Sequence, residues 1–271
     1  PDLNKDVPSL EIDARANGPA SAVVDLLATP PFEVLAGTGI TGNQAGGMVI
    51  ARVRLAFPLL DDIKLEQMDL NVSAQTNGLA LHNVCNDLSL TDANLRVEVT
   101  ENGLKAQGPL RFAGVDGVID WDEDFLPATP LRTDLIFTVV RASVPEVRRA
   151  LAPWADTGRW LKGGHFAGEV RYTARDDGTA NLDGRLDLGA AELALPELHW
   201  SKPAGRTALA EAQAFILGDR LEAINNVALS AADADIRGHA LFGDDGRLDS
   251  LDLEHFRLGR NQVSGHMHAL D

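Results

Sequence analysis

The chain has 271 residues, enough for one large domain or two, and it can bury a sizeable core. Its 40 acidic residues outnumber its 24 basic residues and give a formal net charge of −16. Phosphate backbones and anionic headgroups repel such a surface, so the composition argues against nucleic-acid binding and against electrostatic docking to membranes. The single cysteine excludes an internal disulfide.

The dominant pattern is an alternation of apolar and polar residues with a period of two. It is clear in the segments 9–16 and 180–188, and in 49–57 every second residue is apolar. A period of two places one set of side chains on each face of a β-strand. Because the alternation recurs from one end of the chain to the other, the sequence predicts a mainly β fold: a long, twisted antiparallel meander.

Four Asn-Gly or Asp-Gly pairs separate strand-like segments and predict tight hairpins. They are Asn77-Gly78, Asn102-Gly103, Asp177-Gly178 and Asp245-Gly246. Strands joined by such turns pair with their neighbours in sequence, as a meander requires.

Two segments break the alternation and predict short helices. The first covers 21–29 and ends at Pro30-Pro31. The second begins at the capping-box sequence Ser143-Val144-Pro145-Glu146, covers about 144–152 and is closed by Pro153.

No polar linker marks a domain boundary, so we expect one continuous β segment over residues 1–271. The alternative is a subdivision into 1–142 and 165–271 around the second helix. The chain opens with Pro1 rather than Met, which indicates a fragment of a longer protein. We therefore expect any membrane anchor to lie outside it.

A sheet of this size must either bury its apolar face or curl around it. About sixteen strands at a spacing of about 4.8 Å would form a ladder on the order of 75 Å long, which must twist or curl. The sheet could curl into an apolar groove, which is our main expectation. A β-sandwich or a β-solenoid, in which the apolar faces meet each other, is the alternative.

No motif points to catalysis or to a cofactor. The sequence has no GxSxG element and no P-loop, so we expect neither an enzyme nor a cofactor. His266 and His268 have a spacing that can bind metal, but no third ligand is near them in sequence, and we expect no metal site. The acidic run 116–124 lacks the glycine-spaced loop of a calcium site and is typical of a solvated face.

Three segments resemble the AsmA-like proteins of Gram-negative bacteria, in the YhdP branch. The segment 186–205 contains Leu-Pro-x-Leu-x-Trp-x-Lys-x-x-Gly between two strands, a pattern similar to one in that family. The segment 251–261 contains Leu-x-Leu-x-x-x-x-Leu-Gly-Arg and resembles a closing segment of the same branch. The segment 114–125 is similar to a family strand pair. Together these matches span most of residues 45–270.

The resemblance implies a long periplasmic protein that is anchored in the inner membrane by a segment outside this fragment. It implies a repeating β-groove (β-taco-like) with an apolar floor that carries phospholipid or other acyl lipids toward the outer membrane and so supports outer-membrane lipid homeostasis and barrier integrity. The family has no catalytic residues. The implied partners are lipid and the neighbouring β segments of the full-length chain.

The alternating stripes fit such a groove because they consist mostly of Leu, Val, Ile and Ala. Burial of an acyl chain contributes about 0.8 kcal/mol per CH₂. We expect the groove to be lined by apolar residues of five predicted strands: Val53, Leu55, Leu70, Val72, Leu95, Val97, Leu110, Leu182, Leu186 and Leu188. The alternative function is a structural β module of the cell envelope that binds a protein partner through its edge strands.

Overall fold

The fold is mainly β, antiparallel and interrupted by two short helices, as the alternation predicts. This is seen in a computed structural model, which describes residues 8–29, 40–59, 68–85, 88–126, 129–151, 160–196, 199–218, 220–243 and 245–268. Seventeen strands lie in this part of the chain, and every ladder between them that has a defined register is antiparallel.

The chain divides into two compact units. The first contains residues 1–112 and 119–129, and the second contains 113–118 and 130–271. The helix that we considered as a boundary lies inside the second unit. The prediction of one continuous β segment over residues 1–271 is not tested by this division and still rests on the sequence pattern.

The first unit is a meander in which neighbouring strands pair in chain order. Its strands are β1 (Ser9–Pro19), β2 (Ala45–Pro58), β3 (Asp69–Cys85), β4 (Leu88–Ala93), β5 (Arg96–Thr100) and β6 (Gly103–Phe112). Strand β1 pairs with β2, and β2 pairs with β3. Strand β3 then pairs with both β4 and β5, and each of these pairs with β6. The strand β7 (Val115–Asp124) is divided between the two units.

The second unit is a longer antiparallel ladder with one inserted hairpin. Its strands are β8 (Leu131–Ser143), β9 (Leu161–Arg175), β10 (Thr179–Asp187), β11 (Ala191–Leu195), β12 (Trp200–Lys202), β13 (Ala208–Leu217), β14 (Arg220–Ala231), β15 (Ala234–Phe242), β16 (Leu248–Leu258) and β17 (Asn261–His268). The main order is β8-β9-β10-β13-β14-β15-β16-β17. The β11–β12 hairpin pairs with the first residues of β9 instead of extending this ladder.

Both predicted helices form. Helix α1 (Ala20–Leu27) begins directly after Pro19 and buries Ala20 and Val24. Helix α2 (Val144–Leu151) begins at the predicted capping box, in which the Glu146 carboxylate accepts hydrogen bonds from the Ser143 amide (2.6 Å) and hydroxyl (2.7 Å). Pro153, which was predicted to close this helix, lies outside the described residues. Among those residues, no helix is long and apolar enough to cross a membrane.

Three of the four predicted hairpins form, and one prediction is wrong. The Asn102, Asp177 and Asp245 pairs lie at the β5–β6, β9–β10 and β15–β16 turns. Asn77-Gly78 instead lies inside β3, which continues for 17 residues. Gly78 has φ +59° there, and the β2–β3 register shifts beside it, between Gly46 and Met48. The left-handed residue is therefore absorbed as an irregularity and does not reverse the chain.

Candidate ligand-binding surface: the apolar face of the second unit

The register of the second unit aligns apolar residues in four rows that run across its strands. We number the rows from the end nearest the β11–β12 hairpin. Row 1 contains Leu188, Ala208, Ala231, Ala234 and Leu258, and row 2 contains Leu186, Ala210, Leu229, Ile236 and Phe256. Row 3 contains Gly184, Ala212, Val227, Gly238 and Leu253, and row 4 contains Leu182, Ala214, Ile224, Ala240 and Leu251.

The rows continue onto the two preceding strands. Gly168 and Val139 extend row 2, Val170 and Phe137 extend row 3, and Tyr172 and Leu135 extend row 4. Rows 2 to 4 thus cross seven strands, from β8 to β16, which is about 29 Å at a strand spacing of about 4.8 Å. No charged residue stands in any of these positions. The register therefore produces a continuous apolar surface, which we call the apolar face.

Row 1 is the most buried row, whereas rows 3 and 4 combine exposed positions with buried ones at Gly238 and Ala240. In row 1, Ala234 and Leu258 are fully buried, and Leu188 is 4% exposed. All five members of row 2 are half-buried. In rows 3 and 4, Val227 is 36% exposed and Leu182 is 38% exposed. The apolar face is therefore covered at one end and open to solvent at positions on β10 and β14.

The cover at the closed end is the β11–β12 hairpin together with the start of α2. Leu193 of β11, Trp200 of β12 and Val144 of α2 pack in one cluster with Leu188 and Leu258. The five row 2 residues also pack against this cluster. One end of the apolar face thus has the second layer expected of a sandwich, and only the uncovered rows offer surface to a ligand.

A buried lysine anchors this hairpin. The Lys202 ammonium, whose residue is 1% exposed, donates hydrogen bonds to the carbonyl oxygens of Ala191 (2.8 Å), Pro203 (3.2 Å) and Gly189 (3.3 Å). Burial lowers the pKa of Lys202. Three backbone acceptors compensate for the lost hydration of the ammonium, so this charge holds the chain around the hairpin in place.

The opposite face of the ladder is polar and carries ion pairs between neighbouring strands. Arg171 binds Asp134 through two hydrogen bonds of 2.8 and 2.5 Å, and the guanidinium holds the pKa of this carboxyl below its usual value. Arg185 lies between Glu169 and Glu211 in the register and is 3.5 Å from Glu211. These exposed charges keep the outer face hydrated and leave the apolar face as the side available to an apolar ligand.

The first unit shows the same alternation in its register. One apolar row contains Ala14, Val53, Val72, Val99 and Leu104, and the next contains Ala16, Ala51, Ala74, Val97 and Ala106. Charged residues occupy the other face, where Arg52 lies 3.0 Å from Asp13 and Lys105 lies 2.6 Å from Asp122. Within the acidic run 116–124, Asp120 and Asp122 of this unit are exposed, and so is Asp116, which belongs to the second unit.

The ten predicted lining residues fall into three classes of burial. Leu182 is exposed on row 4, and five residues are half-buried: Val53, Leu55, Val72, Val97 and Leu186. The other four are between 4% and 7% exposed and pack inside the protein: Leu70, Leu95, Leu110 and Leu188. Seven of the ten belong to the first unit and three to the second.

The sequence analysis missed the closed end and the polar cavity beside it. The Trp200 side chain packs in the core cluster. Its Nε1 atom is nevertheless buried without a hydrogen-bond partner among the described residues. One signal for this end of the unit was present in the sequence: two of the segments that resemble AsmA-like proteins, 186–205 and 251–261, contribute residues to it. The pairing of β14, β15 and β16 brings these two segments to the same end.

Among the residues that the structure describes, no group of three or more His, Cys, Asp or Glu side chains has the arrangement of a metal site. The side chains of His266 and His268 lie outside the described part. Comparison with known proteins gives no match: no family model, no curated protein and no solved structure is significantly similar to the chain.

Proposed function

We propose that this chain is a segment of a periplasmic bridge that carries phospholipid acyl chains on an apolar face between the inner and outer membranes. The single observation that supports the proposal is the alignment of rows 2 to 4 across seven strands, with Leu182 and Val227 open to solvent. The resemblance of three segments to AsmA-like proteins supports the periplasmic location and the choice of a lipid as the ligand.

The composition of the rows suits acyl chains better than a ligand of fixed shape. The rows consist of aliphatic residues, alanine and glycine, with aromatic rings at only Phe137, Tyr172 and Phe256. Such a surface offers contact area without polar anchors, and each CH₂ that it buries contributes about 0.8 kcal/mol. A ligand held in this way can slide along the rows, as transport requires.

The covered end constrains how a chain would lie. The β11–β12 hairpin occupies row 1, so an acyl chain in this unit would lie over rows 3 and 4 and run across the strands. The half-buried residues of row 2 would form one side of its path. Lipid capture should therefore depend on Leu182 far more than on Leu188, although both were predicted to line the groove.

Native mass spectrometry of the purified chain, followed by extraction and identification of bound lipid, tests the proposal. We expect phospholipid to copurify, and we expect Leu182→Asp to reduce its occupancy at least several-fold, because a carboxylate would stand in the acyl path. The matched control is Val140→Asp, which places the same charge on a residue of β8 that is 76% exposed and outside the rows. A lipid-free wild-type protein, or equal occupancy in both variants, would contradict lipid transport.

The second candidate function, an envelope module that binds a protein through an edge strand, is favoured by β1. This strand has 11 residues, and all of them except Gly18 are exposed. A strand exposed on both faces can add a strand from another protein. Glu11, Asp13 and Arg15 place charges along it, which disfavours indiscriminate pairing. A lipid-free protein that captures a defined envelope protein, with capture lost after proline substitution in β1, would favour this function.

A further inference from the structure

One edge of the first unit is a long strand with a neighbour on one side. Strand β1 pairs with β2 along its whole length, from Ser9 opposite Pro58 to Pro19 opposite Met48. Among the described residues, no other strand lies alongside β1. The backbone donors and acceptors of β1 that point away from β2 are therefore available to a further strand.

The side chains of this edge are exposed on both faces of the sheet. Every residue of β1 except Gly18 is exposed, including Leu10 at 42% and Ile12 at 38%. These two side chains lie on the same face as the apolar rows of the first unit, since Ile12 stands opposite Leu55. An open edge that carries exposed apolar side chains favours pairing with a strand of another chain. Its charges decide which strand fits.

One charge on the outer face of β1 lacks a partner. Asp13 lies 3.0 Å from Arg52 and 3.5 Å from Arg54, so this carboxylate serves two arginines of β2. Arg15 stands directly opposite Arg52 in the register and makes no ion pair in the part of the chain that the structure describes. Like charges that face each other across strands are destabilising. A carboxylate supplied from the open side of β1 would offset this repulsion.

A second copy of the same strand carries such a carboxylate at the right position. When two β1 strands are placed antiparallel about a two-fold axis at Ala14, Asp13 of each copy stands opposite Arg15 of the other. All 11 residues of β1 then have a partner in the second copy. The strand is therefore complementary to itself in charge and in length.

Other registers of the same two strands are less favourable. An axis at Asp13 or at Arg15 would bring two like charges face to face, and an axis at Ile12 would place Glu11 opposite Asp13. A shift by a single residue would oppose polar side chains to apolar ones. The charges of β1 thus select the axis at Ala14.

This axis also joins the apolar rows of the two copies. The row that contains Ala14, Val53 and Val72 would meet its own copy at Ala14, and Ile12 would lie opposite Ala16. No charged residue of β1 lies on this face. The sheet of each first unit would therefore continue into the other with an uninterrupted apolar side.

We propose that β1 is a dimerisation edge, to which a second copy of this chain adds its own β1 antiparallel, with Asp13 of each copy bound to Arg15 of the other. The partner of this edge is the chain itself rather than an unrelated envelope protein. The inference does not require lipid binding. Leu182→Asp should dimerise like the wild type, so loss of lipid and loss of the dimer are separate results.

Sedimentation velocity of the full chain between about 1 and about 200 µM, at about 0.15 M salt, tests the proposal. We expect a reversible monomer–dimer equilibrium in this range, because one strand pair forms a small interface. Arg15→Glu should weaken dimerisation about tenfold, since it places two pairs of carboxylates face to face. Arg96→Glu is the matched control, at an exposed arginine of β5. A chain that stays monomeric, or equal weakening by both variants, would overturn the proposal.

A mixture of two charge variants tests the pairing itself. Asp13→Lys alone should also dimerise poorly, because it opposes a lysine to Arg15 of the other copy. An equimolar mixture of Arg15→Glu and Asp13→Lys should form heterodimers with near wild-type affinity, since every charge again faces an opposite one. Absence of heterodimers from two variants with wild-type thermal unfolding would overturn the proposal. If Asp13→Lys fails to fold, the cross-linking below carries the test.

Cross-linking through an introduced cysteine tests the axis. With the single native cysteine removed by Cys85→Ser, Ala14→Cys should form an intermolecular disulfide on oxidation, because opposite Cα atoms in an antiparallel pair are about 4.5–5.5 Å apart. Ala16→Cys is the control on the same face and should not cross-link, since its counterpart would lie four residues away along the strand, about 13 Å. Equal cross-linking of both variants would show unspecific contact and overturn the proposal.

Discussion

At the scale of single residues, the buried charge of Lys202 has the clearest energetic role. A lone buried ammonium is costly, yet this one donates to three backbone carbonyls around the β11–β12 hairpin. Its ammonium ties the segment 189–191 to the end of β12. The lysine therefore supports the cover of the apolar face, although it has no contact with the open rows.

Replacement of Lys202 by Met should lower the free energy of unfolding by about 2 kcal/mol, because the substitution keeps the volume but leaves buried carbonyls unpaired. Chemical denaturation of the wild type and the variant measures this loss. Lys162→Met is the control, since Lys162 is an exposed lysine of β9. Equal stability of the Lys202 and Lys162 variants would show that the three hydrogen bonds do not stabilise the fold.

The Asp134–Arg171 pair makes stability depend on pH in the acid range. Because the hydrogen bonds from Arg171 lower the pKa of Asp134 in the folded state, the unfolded chain binds a proton more readily there. The contribution of the pair is therefore fully present above the usual pKa of 3.8 and is lost as the pH falls through the lower folded value. We expect Asp134→Asn to flatten the fall in denaturation midpoint between pH 5 and pH 3 relative to the wild type. A wild-type slope in Asp134→Asn would contradict the assignment.

At the scale of the elements, glycines determine how closely neighbouring strands approach on the apolar face. Gly168 of β9 and Gly184 of β10 occupy rows 2 and 3. A Cβ atom on Gly168 would lie 2.5 Å from the Arg185 carbonyl oxygen and 2.6 Å from a methyl carbon of Leu186. The nearest atom to a Cβ on Gly184 is the Ala212 carbonyl oxygen, at 3.9 Å. The same substitution should therefore have different effects at the two positions.

We expect Gly168→Ala to destabilise the protein by about 1–3 kcal/mol, because a backbone carbonyl cannot yield to the added methyl group. Gly184→Ala should be neutral or stabilise slightly, since alanine lowers the entropy of the unfolded chain and meets open space. Thermal unfolding of both variants measures the difference. Similar midpoints would show that β9 and β10 separate readily at row 2.

At the scale of the whole molecule, the net charge of −16 governs encounters with membranes. Ion pairs on the outer faces neutralise only part of the acidic surface, because acidic residues exceed basic ones by 16 (40 against 24). An anionic bilayer should repel this surface. If the chain takes up lipid as proposed, entry of the acyl chain must overcome that repulsion without help from basic residues.

Uptake of a fluorescent phospholipid from anionic vesicles should therefore become faster as salt rises. The Debye length falls from about 30 Å at 0.01 M to about 8 Å at 0.15 M ionic strength, so repulsion is screened over this range. Uptake from vesicles of zwitterionic phosphatidylcholine is the control and should change little. Faster uptake from anionic vesicles at low salt would indicate an attractive basic contact and would contradict the electrostatic argument.

Local rules in the sequence account for the elements of this fold. The period of two predicted the antiparallel strands, the capping box at Ser143 predicted α2, and three Asx-Gly pairs predicted hairpins. Each depends on backbone geometry within a few residues. The same rules failed at Asn77-Gly78, because a left-handed glycine can turn a chain or sit as a bulge, and only the pairing of β3 with its neighbours selects between them.

Which apolar residues are accessible was decided by the tertiary structure alone. Leu182 and Leu188 have the same parity and the same side-chain chemistry, yet one is 38% exposed and the other 4%. The difference arises from the β11–β12 hairpin, which packs over one end of the face and not the other. Likewise, the cavity beside Trp200 is lined by residues 199–201, 233 and 258–261, which are distant from one another in sequence. Alternation determines which face of a strand is apolar, whereas long-range packing determines what covers that face.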